Sequence, residues 1–315
     1  MSKWLKLTLA VAVAGGTAAA AVVALIGIGL VTAMTVALPV AAAMAFQEID
    51  QAAVPGKVTV SAADGVSDSI ENEEGEGVDN PEEEELTVPF RLVVPAEIEE
   101  GKTYPLIVFL HGAGERGDDN ALQLKHFVAR MATEQMRQKY PCFILAPQCP
   151  KERRWVDVDW GDVRGGAFPE RPSLPLAGAI KAYRETLESR PIDRSRIYIT
   201  GLSMGGYGTW HLADLLRDEV AAAVPICGGG DVGDAKRYVG LPLWVYHGAK
   251  DRAVPVERSR QMVEAIRKVD GDVNYTEYID GGHQIWDDAY FGTDDDPGVL
   301  PWLFEQKKAD EADGE

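Results

Sequence analysis

The sequence is poor in basic residues and shows no metal or Walker-type nucleotide motif. It has 31 Lys and Arg against 50 Asp and Glu, which gives a formal net charge of −19 at pH 7. Phosphate backbones repel such a chain, so nucleic acid is not an expected partner. HExxH, CxxC, EF-hand and Walker patterns are all missing, so we expect neither a metal ion nor a bound cofactor.

Cysteine is also scarce, with only Cys142, Cys149 and Cys227. An odd count leaves at least one thiol free. Cys142 and Cys149 open and close one apolar run, and an extended strand would set them roughly 20 Å apart, too far for a disulfide unless the chain folds back. We therefore expect three buried thiols and a fold that does not depend on disulfides.

The amino terminus has the parts of an export signal. Lys3 and Lys6 precede an uncharged run over 7–46 that is rich in Ala, Val and Leu and ends in Ala43-Met44-Ala45. The run approaches 40 residues, whereas a signal core needs about 7 to 15 and a membrane helix about 20. Residues 1–46 are thus either a cleaved signal peptide or an N-terminal membrane anchor, and both predict that the rest of the chain is exported.

Acidic segments flank the middle of the chain. Residues 64–85 contain eleven acids and no base, with one Ile, two Val and no aromatic residue. Such a segment cannot bury enough apolar surface to offset its ordering entropy. We predict an acidic disordered linker over 47–85, one globular domain over 86–305, and an acidic tail over 306–315.

The globular domain alternates short apolar runs with stretches of helical period. This pattern predicts an α/β fold with a mainly parallel sheet flanked by helices. No insertion is long enough for a large lid. The predicted strands are 88–94, 106–110, 143–146, 196–200, 222–226, 243–246 and 275–279, and the predicted helices are 121–139, 174–189, 204–217, 256–269 and 300–308.

The most informative stretch is a Gly-x-Ser-x-Gly turn between a predicted strand and a predicted helix. It runs from Gly201 to Gly205 with Ser203 at its centre. A sharp turn of this kind presents the serine hydroxyl clear of the backbone, and the glycines leave space for close packing. The pattern indicates that Ser203 is a nucleophile.

A serine nucleophile needs a histidine base, and the histidine needs a carboxylate to fix its tautomer. In strand-turn-helix hydrolases the chain order is serine, acid, histidine. Of the five histidines only His283 comes late, in a glycine-rich loop after the last strand, so it is the expected base. Asp251 is the expected acid because it follows a strand, with Asp231 and then Asp280 as alternatives.

The oxyanion formed on an attacked carbonyl needs preorganised backbone donors. We expect one donor to be the amide of Met204, which follows the nucleophile. A glycine-rich loop begins at His111, directly after a predicted strand. The second donor is then the amide of Ala113, with Gly112 as the next choice.

Six segments carry a resemblance to a known superfamily. The chain resembles the serine hydrolases of the α/β-hydrolase superfamily, above all exported bacterial phospholipase/carboxylesterase and prolyl-oligopeptidase-like proteins and the related feruloyl and acetylxylan esterases. The segments are FLHGAGERGDDN (109–120), ILAPQCP (144–150), RIYITGLSMGGYGTW (196–210), PICGGGD (225–231), WVYHGAKDRAVPVE (244–257) and TEYIDGGHQIW (276–286). The resemblance implies an α/β-hydrolase fold with Ser203, Asp251 and His283 as the triad.

The resemblance leaves the substrate open. An exported serine esterase that acts through an acyl-enzyme is the main prediction, with a small-molecule or polysaccharide-linked ester as its substrate. A prolyl-oligopeptidase-like peptidase and a non-catalytic carbohydrate-binding protein on a hydrolase scaffold are the alternatives. Trp155, Trp286 and Tyr207 are the predicted substrate-binding residues, since aromatic rings stack on sugars or phenolic groups.

Overall fold

The structure, a computed structural model, describes residues 49–61 and 85–308. The predicted export segment at 1–46, most of the predicted linker and the tail from residue 309 lie outside the described residues. Within those residues, none of the helices combines the length and the apolar character needed to cross a membrane.

Eight strands of the described residues form one sheet in the order β1-β2-β4-β3-β5-β6-β7-β8. The two strands at one edge, β1 and β2, pair antiparallel, and β2 pairs antiparallel with β4, while the six strands from β3 to β8 run parallel. The strands are β1 (Ala53–Val60), β2 (Leu86–Val93), β3 (Tyr104–Leu110), β4 (Phe143–Pro147), β5 (Ile192–Leu202), β6 (Ala222–Ile226), β7 (Trp244–Gly248) and β8 (Asn274–Tyr278).

The first strand corrects the predicted linker. Strand β1 lies inside the range 47–85, but it pairs with β2 along its whole length. Its residues Ala53, Val58 and Val60 are buried. The acidity that argued for disorder begins only after this strand, at Asp64. The folded domain therefore starts before residue 86.

Seven α-helices between residues 127 and 305 flank the sheet. They are α1 (Phe127–Met131), α2 (Glu134–Lys139), α3 (Leu174–Ser189), α4 (Met204–Leu215), α5 (Glu257–Lys268), α6 (Trp286–Phe291) and α7 (Leu300–Glu305). Helix α3 begins as predicted because Ser173 caps it, its hydroxyl accepting from the amide of Leu176 at 3.3 Å.

The observed helices depart from the predictions in two places. The predicted helix at 121–139 is instead a 3-10 turn followed by α1 and α2, because His126 has a φ of 58° and Thr133 caps a new helix. Helix α6 was not predicted, since six residues are too few to show a helical period.

The core lies on both faces of the sheet. Along β3, Leu106 and Val108 pack with one cluster, while Ile107 and Phe109 pack with the other, as successive side chains of a strand point to opposite faces. Helices α3, α4 and α5 cover the first face, and α1, α6 and α7 cover the second. A parallel sheet enclosed in this way brings its strand ends together at one edge, where ligand sites form.

The three cysteines are free and buried, which confirms the sequence prediction. Burial raises the pKa of the thiols of Cys142, Cys149 and Cys227, so each is a neutral packing group rather than a reactive thiolate.

Candidate active site

Ser203 occupies a strained turn between β5 and α4. Its backbone has φ 56° and ψ −119°, a conformation that residues with a β-carbon rarely adopt. The amide of Ser203 donates to the carbonyl of Ile226 on the neighbouring strand at 2.9 Å, which helps to hold the turn. Strain of this kind persists where the surrounding structure fixes the backbone, and it is common at active sites.

The glycines on either side of Ser203 are required by packing. A β-carbon at Gly205 would overlap the carbonyl of Leu110, and one at Gly201 would overlap the same carbonyl and the backbone of Gly205. Both clashes involve backbone atoms of β3 and α4, which cannot rotate away. The turn therefore fits against the end of β3 only when both positions are glycine.

We expect Gly205→Ala to lower the free energy of unfolding by about 3 kcal/mol, the upper range for overpacking a closed site. Urea unfolding of the full chain measures this loss. Gly166→Ala is the matched control, because a β-carbon there meets nothing within 4 Å. Equal unfolding midpoints for the two variants would contradict the packing argument.

The side chains of Ser203, His283 and Asp251 form one hydrogen-bonded chain. The Nε2 atom of His283 lies 2.8 Å from the Oγ of Ser203, and its Nδ1 lies 2.6 Å from the Oδ2 of Asp251. Asp251 can only accept while ionised, so Nδ1 carries the proton and Nε2 is free to accept from the serine hydroxyl. The Asp251 side chain is fully buried and that of His283 is 24% exposed.

Four donors surround the Asp251 carboxylate. Its Oδ1 accepts from the amides of Ala253 at 2.8 Å and Val254 at 3.0 Å, and its Oδ2 faces Nε2 of His247 at 3.2 Å as well as His283. Burial alone would raise the pKa of Asp251, but the hydrogen bonds from His247, His283 and Val254 outweigh it and lower the pKa well below its usual range. Asp251 therefore stays ionised.

His247 is one of the four donors to the Asp251 carboxylate and does not act as a base. It is fully buried, and its Nε2 also lies 3.1 Å from the carbonyl of Val254. Because Asp251 and this carbonyl both only accept, Nε2 must carry a proton. The other ring nitrogen lies 2.7 Å from the hydroxyl of Ser259, which fixes the orientation of the ring.

The two alternative acids lie elsewhere. Asp231 accepts from the amides of Phe168 at 2.9 Å and Gly233 at 2.8 Å, so it holds a turn together. Asp280 is exposed and pairs with Lys250 at 2.5 Å. Neither carboxylate has a contact to His283 among the hydrogen bonds of the described residues.

The predicted oxyanion donors belong to two segments next to Ser203, namely the start of α4 and the loop after β3. Neither the amide of Met204 nor that of Ala113 has an acceptor within the described part of the chain. Gly112 and Ala113 line the same cleft as Ser203. The carbonyl of Ala113 accepts from the Arg116 guanidinium at 3.0 Å, which braces the loop.

A buried histidine supports the start of this loop. Burial lowers the pKa of His111 to about 4, so the ring is neutral at pH 7. Its Nδ1 donates to the carbonyl of Gly112 at 2.6 Å, and its Nε2 accepts from the amide of Cys149 at 2.9 Å. The indole of Trp155 donates to the carbonyl of His111 at 3.0 Å. These bonds tie the glycine-rich loop to the end of β4.

Two of the three predicted substrate-binding residues are wrong. Trp155 is completely buried and its indole donates to the carbonyl of His111, and Tyr207 is completely buried with its hydroxyl donating to the carbonyl of Trp160 at 3.1 Å. Both side chains belong to the core cluster on one face of the sheet, and neither lines the cleft. Trp286 does line it, as does Trp160 from the loop 151–172.

The cleft has a volume of about 330 Å³ and contains residues that the sequence did not single out. Glu115, His126 and Gln284 all line it beside Ser203 and His283. Glu115 follows directly after the predicted oxyanion loop, and this adjacency was the one available signal for it. His126 gave no such signal, because it lies about 80 positions before the serine.

Cys227, Asp251 and His283 are the one group of described residues with metal-ligand atoms close together, within 4.8 Å. Asp251 and His283 are already bonded to each other, and the thiol of Cys227 donates to the carbonyl of His283 at 3.4 Å. The chemistry of this set fits proton transfer better than metal binding, since its thiol is neutral.

The mainly parallel sheet, the helices on both faces and the serine on the turn after β5 define an α/β hydrolase. A family model described as phospholipase/carboxylesterase matches residues 95–290, more than half of the chain, and the chain belongs to this family.

Comparison with individual proteins agrees with this family. A solved thermostable esterase is 42% identical, with a TM-score of 0.64, over 71% of this chain and 60% of its own. A bifunctional acetylxylan esterase/xylanase of Neocallimastix patriciarum is 35% identical over 77 residues, 24% of this chain and 11% of its own. An acylaminoacyl peptidase, 20% identical with a TM-score of 0.51 over 75% of this chain and 41% of its own, shares the fold. The chain spans less than two thirds of the length of each of these three proteins.

Proposed function

We propose that this protein is a serine hydrolase that cleaves carboxylic esters through an acyl-enzyme. The observation that carries the proposal is the hydrogen-bonded chain from Ser203 through His283 to the ionised Asp251. Membership of the phospholipase/carboxylesterase family supports the same reaction class. An ester is the simplest substrate for which nothing beyond these side chains and two backbone donors is needed.

In the first half of the reaction, the Oγ of Ser203 attacks the ester carbonyl while Nε2 of His283 takes its proton. The tetrahedral intermediate carries a negative oxygen, which accepts from the amides of Met204 and Ala113. His283 then donates the proton to the departing alcohol oxygen, and the acyl group stays on Ser203. In the second half, His283 takes a proton from water and the water oxygen attacks the acyl carbon. The bond between the acyl carbon and Oγ then breaks, His283 returns the proton to Oγ of Ser203, and the acid is released.

Asp251 acts by staying charged. It holds the His283 ring with the proton on Nδ1, and its negative charge stabilises the imidazolium that forms during both halves of the reaction. Its depressed pKa means that it does not take the proton itself. The bond from His247 is one of the contacts that keep it ionised and fixed.

We expect His247→Leu to lower kcat/KM for nitrophenyl acetate by about 10- to 100-fold, the effect of losing one hydrogen bond to a buried charge. His247→Gln is the matched variant, because its side-chain amide can still donate to Asp251. It should keep most of the activity that His247→Leu loses. Equal losses in the two variants would show that His247 contributes only by its volume.

An ester screen tests the proposal. Purified protein covering 47–315 is assayed on nitrophenyl acetate, acetylated xylan, feruloylated sugars and acyl-peptide amides. We expect turnover of esters, with amides cleaved more slowly. Faster cleavage of acyl-peptides than of matched esters would assign the protein to the peptidases. Saccharide binding without turnover of any ester would assign it to the non-catalytic carbohydrate-binding proteins.

We also propose that the hydrolase domain is exported. The support is the sequence of residues 1–46, with Lys3 and Lys6 before an uncharged run and Ala43-Met44-Ala45 at its end. The intact mass of the protein from its native cell tests this. Loss of the residues up to Ala45 indicates secretion, and the full mass in a membrane fraction indicates an anchor. The full mass in the cytoplasmic fraction would contradict export.

A further inference from the structure

A second pair of titratable side chains lies in the cleft, outside the reacting chain. The Nε2 of His126 is 3.5 Å from the Oε1 of Glu115, and the two side chains are 32% and 11% exposed. Both line the cleft that contains Ser203. The reaction described above uses neither of them, although they stand close to the predicted oxyanion loop.

The backbone of His126 is strained in the same way as that of the nucleophile. Its φ and ψ are 58° and −117°, against 56° and −119° for Ser203. A residue with a β-carbon remains in this region only when its surroundings hold it there, and such residues cluster at active sites and ligand contacts. Here the completely buried Phe127 anchors the next position, and the strained turn directs the His126 ring to the cleft.

Glu115 brings a negative charge to the wall of the cleft. Burial would raise its pKa, but the hydrogen bond from His126 outweighs burial and lowers the pKa. The carboxylate is therefore ionised at neutral pH. Its Oε2 would lie 3.0 Å from a β-carbon built on Gly112 of the oxyanion loop. The hydrogen bonds found among the described residues include none to this oxygen, so it can accept one, and Glu115 lines the cleft.

Trp286 connects this pair to the catalytic histidine. The indole meets the ring of His126 edge-on with centroids 5.3 Å apart, and the ring of His283 at 90° with centroids 5.7 Å apart. One indole thus contacts both His126 and His283, and it places the pair on the same cleft as the reacting atoms. Trp160 lines the same cleft, and its indole nitrogen is buried with no hydrogen-bond acceptor among the described residues.

We propose that Glu115 and His126 form a recognition site for a hydroxyl group of the substrate, with the hydroxyl donating to the free oxygen of Glu115. The same carboxylate repels negative charge, so the site selects neutral, hydroxyl-bearing esters against esters that carry a phosphate or carboxylate. This inference rests on the proposed ester hydrolysis and names the class of ester.

Matched ester pairs test the inference through ratios of kcat/KM. Glycerol 1-acetate against propyl acetate tests a hydroxyl on the alcohol part, and propyl 3-hydroxybutyrate against propyl butyrate tests one on the acyl part. In Glu115→Met, we expect the ratio of one pair to fall about tenfold or more, the effect of losing a hydrogen bond to a charged group. Asparagine tolerates a positive φ better than most residues, so His126→Asn should keep the turn. In this variant the same ratio should fall in the same direction.

The charge is tested separately with acetoxyacetate, whose alcohol part carries a carboxylate. We expect Glu115→Gln to raise the rate on acetoxyacetate relative to propyl acetate by about tenfold, since it removes the repulsion at unchanged volume. Glu264→Gln removes one charge from the exposed face of α5 and is the control. It should leave every ratio at the wild-type value.

The outcomes separate this inference from the proposed function. A purely structural role for Glu115 would lower kcat/KM equally for both esters of a pair and leave the ratios unchanged. Unchanged ratios in all three variants would therefore overturn the inference, while the proposed ester hydrolysis would stand. If the wild-type protein turns over neither ester of any pair, the proposed function fails and the inference fails with it.

Discussion

Ser203→Ala should lower kcat for nitrophenyl acetate by about 10⁵-fold, which is within the range found when the nucleophile of a serine triad is removed. Without the hydroxyl no acyl-enzyme forms, and only the oxyanion donors and the cleft still assist direct attack by water. The Ser203 side chain is small and lies at the cleft surface, so the fold should be unchanged. Steady-state kinetics with circular dichroism as a check on folding measures the effect.

Ser189→Ala is the control for this variant, because Ser189 lies at the exposed end of α3, where its hydroxyl donates to the carbonyl of Glu185. It should retain full activity. If Ser203→Ala kept more than a few per cent of the wild-type rate, Ser203 could not be the nucleophile, whatever the geometry of the turn.

Asp251→Asn should lower kcat by about 10⁴-fold, the effect of forcing the wrong tautomer on the base of a triad. The amide would present N–H groups where the carboxylate now accepts from Nδ1 of His283. The proton of His283 would then move to Nε2, the atom that must accept from Ser203. The same assay measures this loss. The change of a carboxylate to an amide conserves the shape of the side chain, so the loss reports on the tautomer of His283.

Asp231→Asn and Asp280→Asn are the matched controls, since these were the alternative acids. Asp231 holds a turn through the amides of Phe168 and Gly233, and Asp280 pairs with Lys250 at the surface. Both variants should stay within a few-fold of the wild-type rate. A loss at either position comparable to that of Asp251→Asn would contradict the assignment of the acid.

The parallel part of the fold could be predicted from the sequence because its signals are strong and local. Strand β6 and helix α3 have the predicted bounds, and the apolar runs of β3 and β4 are buried on both faces. Chain order then suffices to bring Ser203, Asp251 and His283 to one edge of the sheet, since the carboxyl ends of parallel strands lie side by side.

What the sequence could not predict depends on which way a side chain points. Trp155, Tyr207, Trp160 and Trp286 are all aromatic residues that follow strands of the sheet, but the first two fill the core and the last two line the cleft. Strand β1 was concealed because its short apolar pattern stands next to the acidic segment.

The pair of His126 and Glu115 could not be found by sequence reasoning, because its two members are brought together only by the strained turn before α1. A histidine in a run of helical composition gives no sign that its backbone leaves the helix. The same turn interrupts the predicted helix at 121–139.

The most direct measurement is covalent labelling of the folded protein with a fluorophosphonate, followed by intact mass and peptide mapping. A serine that is activated by His283 and faces two free amides should react once, within the peptide that contains Ser203, and His283→Ala should abolish the reaction. One adduct on Ser203 that disappears in His283→Ala is the result we expect. An unlabelled wild-type protein, or an adduct on another serine, would contradict the proposed nucleophile.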